Sequence, residues 1–339
     1  MIKENDYKNI NLKEVAKRAG VSIATVSRVI NDMDNVKPET RIRVEKIIKE
    51  LGYKPNRVAK RLRYKKSSGN LIGVLIPDIQ NPFYVDVLRG IEDVTFINEC
   101  AIIVCNFSQN EKKAKFYLDI LEAESIDGLI VAPVNENDQN VISLIKSGLP
   151  VVCVDRGLNN VDVDVVVVEN REGAFSAVDY LAKKGYKRIA YIGGLPQIPS
   201  TREREKGYYD ALNANNLPIL PELIKFGDSS HQSGVILTKE LLELPNPPDA
   251  IFTGNNLITL GALETIHNRG LKIPDDVAIV GFDDMYWSIS LNPPLTAVRQ
   301  PAYEIGKRAA ELLIQRINDP ARSFVKMVLK TELIIRKSS

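Results

Sequence analysis

Apolar residues in the first fifty positions recur three and four apart, the spacing that lines one face of a helix. Leu12, Val15, Ala16 and Ala19 form one such stripe and Gly20 interrupts it. Ser22 then stands where a capping residue would open a second helix carrying Val26, Val29 and Ile30. Pro38 suits the first turn of a third helix; Val44, Ile47, Ile48 and Leu51 are its buried stripe and Gly52 its stop. Three short helices around one small core are predicted. The segment Pro55 to Arg63 mixes four cations with Val58, Ala59 and Leu62 behind a possible Asn56 cap, and leads into the loose Lys65-Lys66-Ser67-Ser68-Gly69. A helix this short is not stable alone, so it is expected to order on a partner.

From Leu71 the pattern changes to short continuous apolar runs. Leu71 to Ile76, Ala101 to Asn106, Gly128 to Ala132, Val151 to Val154 and Val163 to Val168 read as strands, with amphipathic stretches between most of them. Strands near Arg188 to Ile192, Ala250 to Thr253 and Val277 to Val280 then alternate with helices near Arg171 to Lys184, Arg202 to Asn215, Gln232 to Leu244 and Leu257 to Arg269. Buried runs separated by helices imply parallel sheets wrapped on both faces, here two α/β units of similar size. Ligands in such sheets bind beyond the carboxyl ends of the strands, and two lobes bring two such edges to one cleft.

Composition narrows the partners. The 339 residues are 44% hydrophobic and 26% charged, as in folded globular chains, and the net charge is only +2. That total hides an asymmetry, because residues 1–69 hold 18 Lys and Arg against 8 Asp and Glu while the remainder is acidic. A basic head on an acidic body points to a polyanion partner for the head. No apolar run reaches the roughly 18 residues of a membrane span, and MIKENDYKNI lacks the apolar region of a secretion signal. Cys100, Cys105 and Cys153 form neither a disulfide framework nor a zinc pattern, so a reducing cytoplasm is expected, with no metal and no cofactor. His231 and His267 are the only imidazoles, and no nucleophile elbow, Walker loop, dinucleotide fingerprint or His-Glu-x-x-His occurs. An enzyme is therefore not expected.

In the head, Ala16 allows close helix approach, Gly20 the turn, and Val26 anchors the second helix from beneath. Ser22, Ile23, Ala24, Thr25, Ser27 and Arg28 are left on its outer side, where a recognition helix would meet a DNA groove. Here a resemblance becomes specific. Asn11-Leu12-Lys13-Glu14-Val15-Ala16-Lys17-Arg18-Ala19-Gly20-Val21-Ser22, with Thr25-Val26-Ser27-Arg28-Val29-Ile30-Asn31, resembles the headpiece of the lactose-repressor (LacI) family. The likeness continues through Lys54-Pro55-Asn56-Arg57-Val58-Ala59 and across the body.

The resemblance implies that Ile23, Ala24 and Arg28 touch base edges in the major groove. Arg28 could contact guanine bidentately, and Ile23 and Ala24 offer only apolar contacts. Ser22, Thr25, Ser27 and Asn31 would bond phosphates, with capping and turn formation as the equally weighted alternative. Asn56, Val58 and Ala59 belong to the implied hinge helix, and Leu62 matches the family's minor-groove wedge. A wedge needs a second hinge, so a homodimer on a pseudo-palindromic operator is implied. No heptad tail beyond Arg336-Lys337-Ser338-Ser339 suggests a tetramer.

By the same resemblance the body is an effector-binding core of the periplasmic-binding-protein-like type I fold. The fold class is thus α plus α/β: a three-helix headpiece and hinge helix, then two doubly wound parallel subdomains. The expected divisions are a headpiece at 1–54, hinge and linker at 55–69, and a core at 70–339. Within the core, about 70–168 with 298–325 form one subdomain, and about 169–297 with 326–339 the other. Asn81, Asp155, Arg156, Arg202, Arg204, Asn255, Asp283 and Gln300 supply polar partners for a polyol, and Phe83, Tyr84 and Phe282 its aromatic faces. Two departures from the family pattern stand out: Ser229 where an aromatic residue is common, and Asn256 where Asp is common. Both suggest a smaller or more polar ligand. Arg156, Arg202 and Arg204 together could offset a carboxylate, so a sugar or sugar acid is expected, the acid slightly favoured.

The reading is a transcriptional repressor of carbohydrate-utilisation genes that binds operator DNA, with effector in the cleft weakening the hold. The alternatives are a corepressor-dependent or global catabolite regulator of the same fold, and a sugar-binding protein without DNA function, which the basic head disfavours.

Overall fold

A computed structural model of the protein describes residues 12–30, 36–51 and 70–339. Backbone contacts divide the chain after Ser68 into two units.

In the first unit α1 spans Leu12–Ala19, α2 Ile23–Ile30 and α3 Pro38–Leu51. Val15, Ala16, Ala19, Val26, Val29 and Val44 close the predicted core. The turn between α1 and α2 takes a positive φ at Gly20 (65°), which a residue with a Cβ adopts only at a cost. The Val21 N–H donates to the Ala16 carbonyl across it.

The second unit holds two six-stranded sheets. One contains β1 (Leu71–Ile76), β2 (Ala101–Asn106), β3 (Gly128–Val131), β4 (Val151–Val154), β5 (Asp164–Val168) and β11 (Lys326–Leu329), in the order β11-β5-β4-β3-β1-β2. The other contains β6 (Ile189–Gly193), β7 (Ile224–Phe226), β8 (Ala250–Thr253), β9 (Ala278–Phe282), β10 (Thr296–Arg299) and β12 (Glu332–Ile334), in the order β12-β10-β9-β8-β6-β7. All pairings are parallel except β10 with β12. Successive residues of β1 feed opposite cores, Ile72, Val74 and Ile76 on one face and Leu75 on the other, as the strand period of two requires.

Helices cover both faces of each sheet. On the first, α4 (Pro82–Ile97) packs beside α11 (Ala302–Asn318), and α5 (Glu111–Ala123) and α6 (Gln139–Lys146) lie opposite. On the second, α7 (Asn170–Lys183) and α8 (Pro199–Ala214) share one core, and α9 (His231–Leu242) lies against α10 (Asn256–Asn268) over the other. The α4–α11 crossing is backbone to backbone. A Cβ at Gly306 would stand 1.9 Å from the Val87 carbonyl oxygen, and one at Gly90 would stand 2.0 Å from that of Tyr303.

The chain passes three times between the lobes, and two of the passages fall later than expected. β10 stays in the second sheet through Arg299, so the return lies at Gln300–Pro301 rather than near 297/298. Lys326–Leu329 pairs with β5, so this segment belongs to the first lobe and the last passage lies between Leu329 and Glu332. Asp164 explains the position of β11. Its fully buried carboxylate accepts from Arg316 Nε (3.0 Å), Arg322 Nη2 (2.7 Å) and the Val325 N–H (2.9 Å), tying the returning segment to β5.

Candidate functional site

In the first unit the second helix turns its apolar face inward and leaves Ser22, Ile23, Ala24 and Arg28 exposed, with Thr25 and Ser27 half-buried. Ser22 acts locally: its hydroxyl accepts the Thr25 N–H (3.1 Å) and lies 2.9 Å from the Thr25 hydroxyl. The capping role of Ser22 is thus seen directly, and its hydroxyl is engaged within the helix. Asn31, Asn56, Val58, Ala59 and Leu62 lie outside the described residues.

In the second unit the polar strand ends converge on a narrow cleft between the lobes. Asn81, Phe83 and Tyr84 after β1, Asp155 and Arg156 after β4, Arg204 on α8, Asn255 after β8, Asp283 after β9 and Gln300 after β10 all line it. Most are buried, and the polar ones are each fixed by a bond to the surrounding scaffold. Asn81 caps α4 by accepting the Phe83 N–H (2.9 Å), and Asn255 caps α10 by accepting that of Ile258 (2.8 Å) while donating to the Ser229 carbonyl (2.9 Å). Caps at these two positions account for the extended backbone at each helix start. The Tyr84 hydroxyl donates to Asp155 (3.2 Å), and its ring meets Phe83 edge-on, 5.0 Å between centres.

Among the charged groups of the cleft, Arg156 and Asp155 stand as an ion pair, and Arg204 and Asp283 are held by neutral partners. Arg156 donates from Nε to the Pro133 carbonyl (2.5 Å) and stands 3.5 Å from Asp155, while its Nη2 is buried without a partner. Arg204 donates to Asn170 (2.8 Å) and the Gly254 carbonyl (2.5 Å). Asp283 accepts from Gln300 (2.5 Å) and from the Asn256 N–H (3.3 Å). Burial raises the Asp283 carboxyl above its ordinary range, against the opposing pull of Arg204, Gln300 and the Asn256 N–H. Burial, followed by the Asp155 charge, pushes the Tyr84 hydroxyl well above its ordinary value.

Three expectations need correction. Arg202 does not reach the cavity; it pairs with Glu136 of the first lobe and donates to the Gln197 carbonyl (2.9 Å). Two residues apart on a helix point about 200° apart, so Arg202 and Arg204 cannot both face the cleft. Phe282 offers no open face, being fully buried beneath Arg204. Asn256 does not line the cavity and instead donates across the lobe junction to Asn81 (2.8 Å). Ser229 does line it. Asp78, Gln109, Ser200 and Thr201 line it as well; their signal was position, in the loops after β1 and β2 and in the first turn of α8, which follows β6.

The free space in this cleft is about 90 Å³. A larger cavity of about 770 Å³ adjoins it behind Asp155, Arg156 and Ser200, over the face of β5 and β11. Its floor is Val165, Val167 and Val328. The narrow cleft, with convergent donors and acceptors of both signs, can bind a compact polyhydroxylated molecule, whereas the larger space sets charged side chains such as Glu136, Arg171, Glu203 and Asp210 around a floor of valines.

Comparison with known proteins agrees with this architecture. Residues 11–56 match the family described as bacterial regulatory proteins, lacI family, and residues 178–339 match the periplasmic binding protein-like domain. Catabolite control protein A of Priestia megaterium is 39% identical over 91% of this chain and 93% of its own. The transcriptional regulator CelR, solved as a cellobiose complex, superposes with a TM-score of 0.74 at 31% identity, over 97% of this chain and all of its own. The lac repressor dimer, solved on operator with the anti-inducer ONPF, gives a TM-score of 0.81 at 28% identity, over 97% of this chain and 98% of its own. With the headpiece, the two-lobed core and relatives of this similarity along nearly its whole length, the chain belongs to the lacI family of bacterial transcriptional regulators.

Proposed function

We propose that this regulator is a cytoplasmic repressor of carbohydrate-utilisation genes. It grips a pseudo-palindromic operator as a homodimer through the exposed face of Ile23–Ile30, and a sugar or sugar acid in the cleft weakens that grip. The observation that carries the effector assignment is the convergence of Asn81, Asp155, Asn255, Asp283 and Gln300 from five strand ends. Together they offer carboxylates and amides for several hydroxyls at once. The unpartnered Nη2 of Arg156 supports an acidic or strongly accepting group on the ligand. The expectation of three arginines is reduced to two, since Arg202 is held elsewhere.

Ligand-sized pockets usually enclose about 300–1,000 Å³. The 90 Å³ free in this cleft lies below that range, so a sugar either draws on the adjoining 770 Å³ space behind Asp155 and Arg156 or parts the lobes, and the second route couples binding to lobe movement. Linkage then connects cleft to operator: a ligand preferring one lobe arrangement by about 1–3 kcal/mol changes operator affinity about 5- to 150-fold. A thermal-shift screen of sugars and sugar acids, followed by operator binding with each hit, tests the reading. A stabilising sugar or sugar acid that lowers operator affinity supports it. Stabilisation by none of them, or operator affinity indifferent to every hit, overturns it.

A further inference from the structure

Asn81 opens the first helix of one lobe and Asn256 opens α10 of the other, and the two are joined through the floor of the cleft. The Asn256 Nδ2 donates to the Asn81 Oδ1 at 2.8 Å, the same oxygen that caps α4 by accepting the Phe83 N–H. The Asn256 backbone N–H donates to Asp283. One residue is therefore bonded to a cleft carboxylate of its own lobe and to the helix cap of the opposite lobe. The remaining contacts of the amide are poor. Its Oδ1 is buried without a hydrogen-bond partner, and the only other acceptor bonded by Nδ2 is the Met285 sulfur at 3.5 Å. The sole good hydrogen bond of this side chain crosses between lobes. Since the Asn81 Oδ1 is committed to the cap, a carboxylate at position 256 would set acceptor against acceptor. A second tie, between Glu136 and Arg202, also spans the lobes, but both side chains are partly open to solvent.

We infer that Asn256 is a positioning residue, one that touches no ligand but fixes Asn81 and holds the two lobes in register. The Glu136–Arg202 pair is its ionic companion. The two ties respond differently to conditions: the buried amide bond is indifferent to salt, while the ion pair weakens as salt screens it. The inference deepens the cleft reading, on which only its regulatory consequence rests. A ligand that draws on Asn81 bears on the same atom group that locks the lobes.

The test is lobe separation in the full chain without sugar or DNA. Dyes are carried at the exposed positions Lys112 and Gln232, on helices of opposite lobes, with one labelled protomer per assembly. Asn256→Asp is expected to lower energy transfer at neutral pH and to recover on acidification, when its protonated carboxyl can donate to the Asn81 Oδ1. Asp283, which accepts the Asn256 N–H, also titrates here, with Asp155, Tyr84 and Arg204 nearby, so the wild type at each pH is the reference for their own response and Asn256→Ala, which adds no carboxylate, the control for coupling to Asp283. Asn256→Ala is expected to lower transfer at every pH without recovery, and Glu136→Gln to abolish the salt response. Wild-type transfer in both Asn256 variants, or a deficit in Asn256→Asp that acid leaves unchanged, would overturn the inference. Neither result touches DNA or effector binding, so the two readings fail separately.

Discussion

The Arg204 guanidinium lies 3.7 Å from the centre of the Phe282 ring, stacked on a face that no ligand can reach. The aromatic residue expected to pack against a sugar instead holds the cation, and Asn170 and the Gly254 carbonyl fix its rotation. A planar fork held on three sides presents its remaining donors to the cleft with little entropy left to lose.

Arg204→Lys removes the fork while keeping the charge. Hydrogen bonds to charged groups contribute about 1.5–3 kcal/mol, so effector affinity is expected to fall roughly 10- to 100-fold. Calorimetric titration with the best ligand of the screen measures it. Phe282→Leu, which strips the stack, is expected to destabilise the fold by about 1–3 kcal/mol in denaturant unfolding.

Arg28 is exposed on the outer face of the second helix. Arg28→Ala is expected to cost about 1–3 kcal/mol on operator and to relax selectivity at one base pair, leaving binding to random duplex nearly unchanged. Affinity measured on a set of single-base operator variants distinguishes this from a phosphate contact, whose loss would weaken all duplexes alike. Wild-type affinity itself should fall steeply with salt as cationic contacts release counterions.

Asp283 predicts an unusual pH response. Its carboxyl is raised above the ordinary range, chiefly by burial, so the native state binds that proton more tightly than the unfolded chain. Its contribution to stability is present below about pH 3.9 and is lost as pH rises through the raised native value. Asp283→Asn is expected to lose less stability than the wild type over that window, as followed by denaturant midpoints. A ligand hydroxyl donating to the carboxylate favours its charged form, so effector affinity should increase with pH over the same interval.

Asp164 is fully buried between two arginines. Asp164→Ala leaves Arg316 and Arg322 without their counter-charge, at an expected cost of about 3–5 kcal/mol, because an uncompensated buried charge is what the break creates. Urea unfolding of the full chain reads it. A loss below about 1 kcal/mol would mean that solvent reaches the pair once the carboxylate is gone.

Much of the fold was legible because its signals are local. The buried runs Leu71–Ile76 and Val151–Val154 and the Gly20 turn each fix an element without help from distant sequence. β7, β10, β11 and β12 have three or four residues each and are mostly half-exposed or mixed in burial, too short to display a period. Their sheet membership depends on partners more than a hundred residues away in the case of β11, which is why the lobe boundary was misplaced there. In α11 the stripe of Ile305, Ala309, Leu312 and Leu313 does carry a helical signal. At the cleft, residue type and strand-end position located most of the lining. Orientation was not legible where it depends on helical phase, as at Arg202, or on what packs above a ring, as at Phe282.

The three passages of the backbone between the lobes mean that neither lobe is a continuous stretch of gene. A cut anywhere in the linking segments releases no intact half, and a frameshift after position 300 strips α11 and β11 from the first lobe along with the tail of the second. Exchange of effector specificity between relatives by recombination would have to join three places at once. Substitution within the cleft is therefore the shorter evolutionary road to a new ligand.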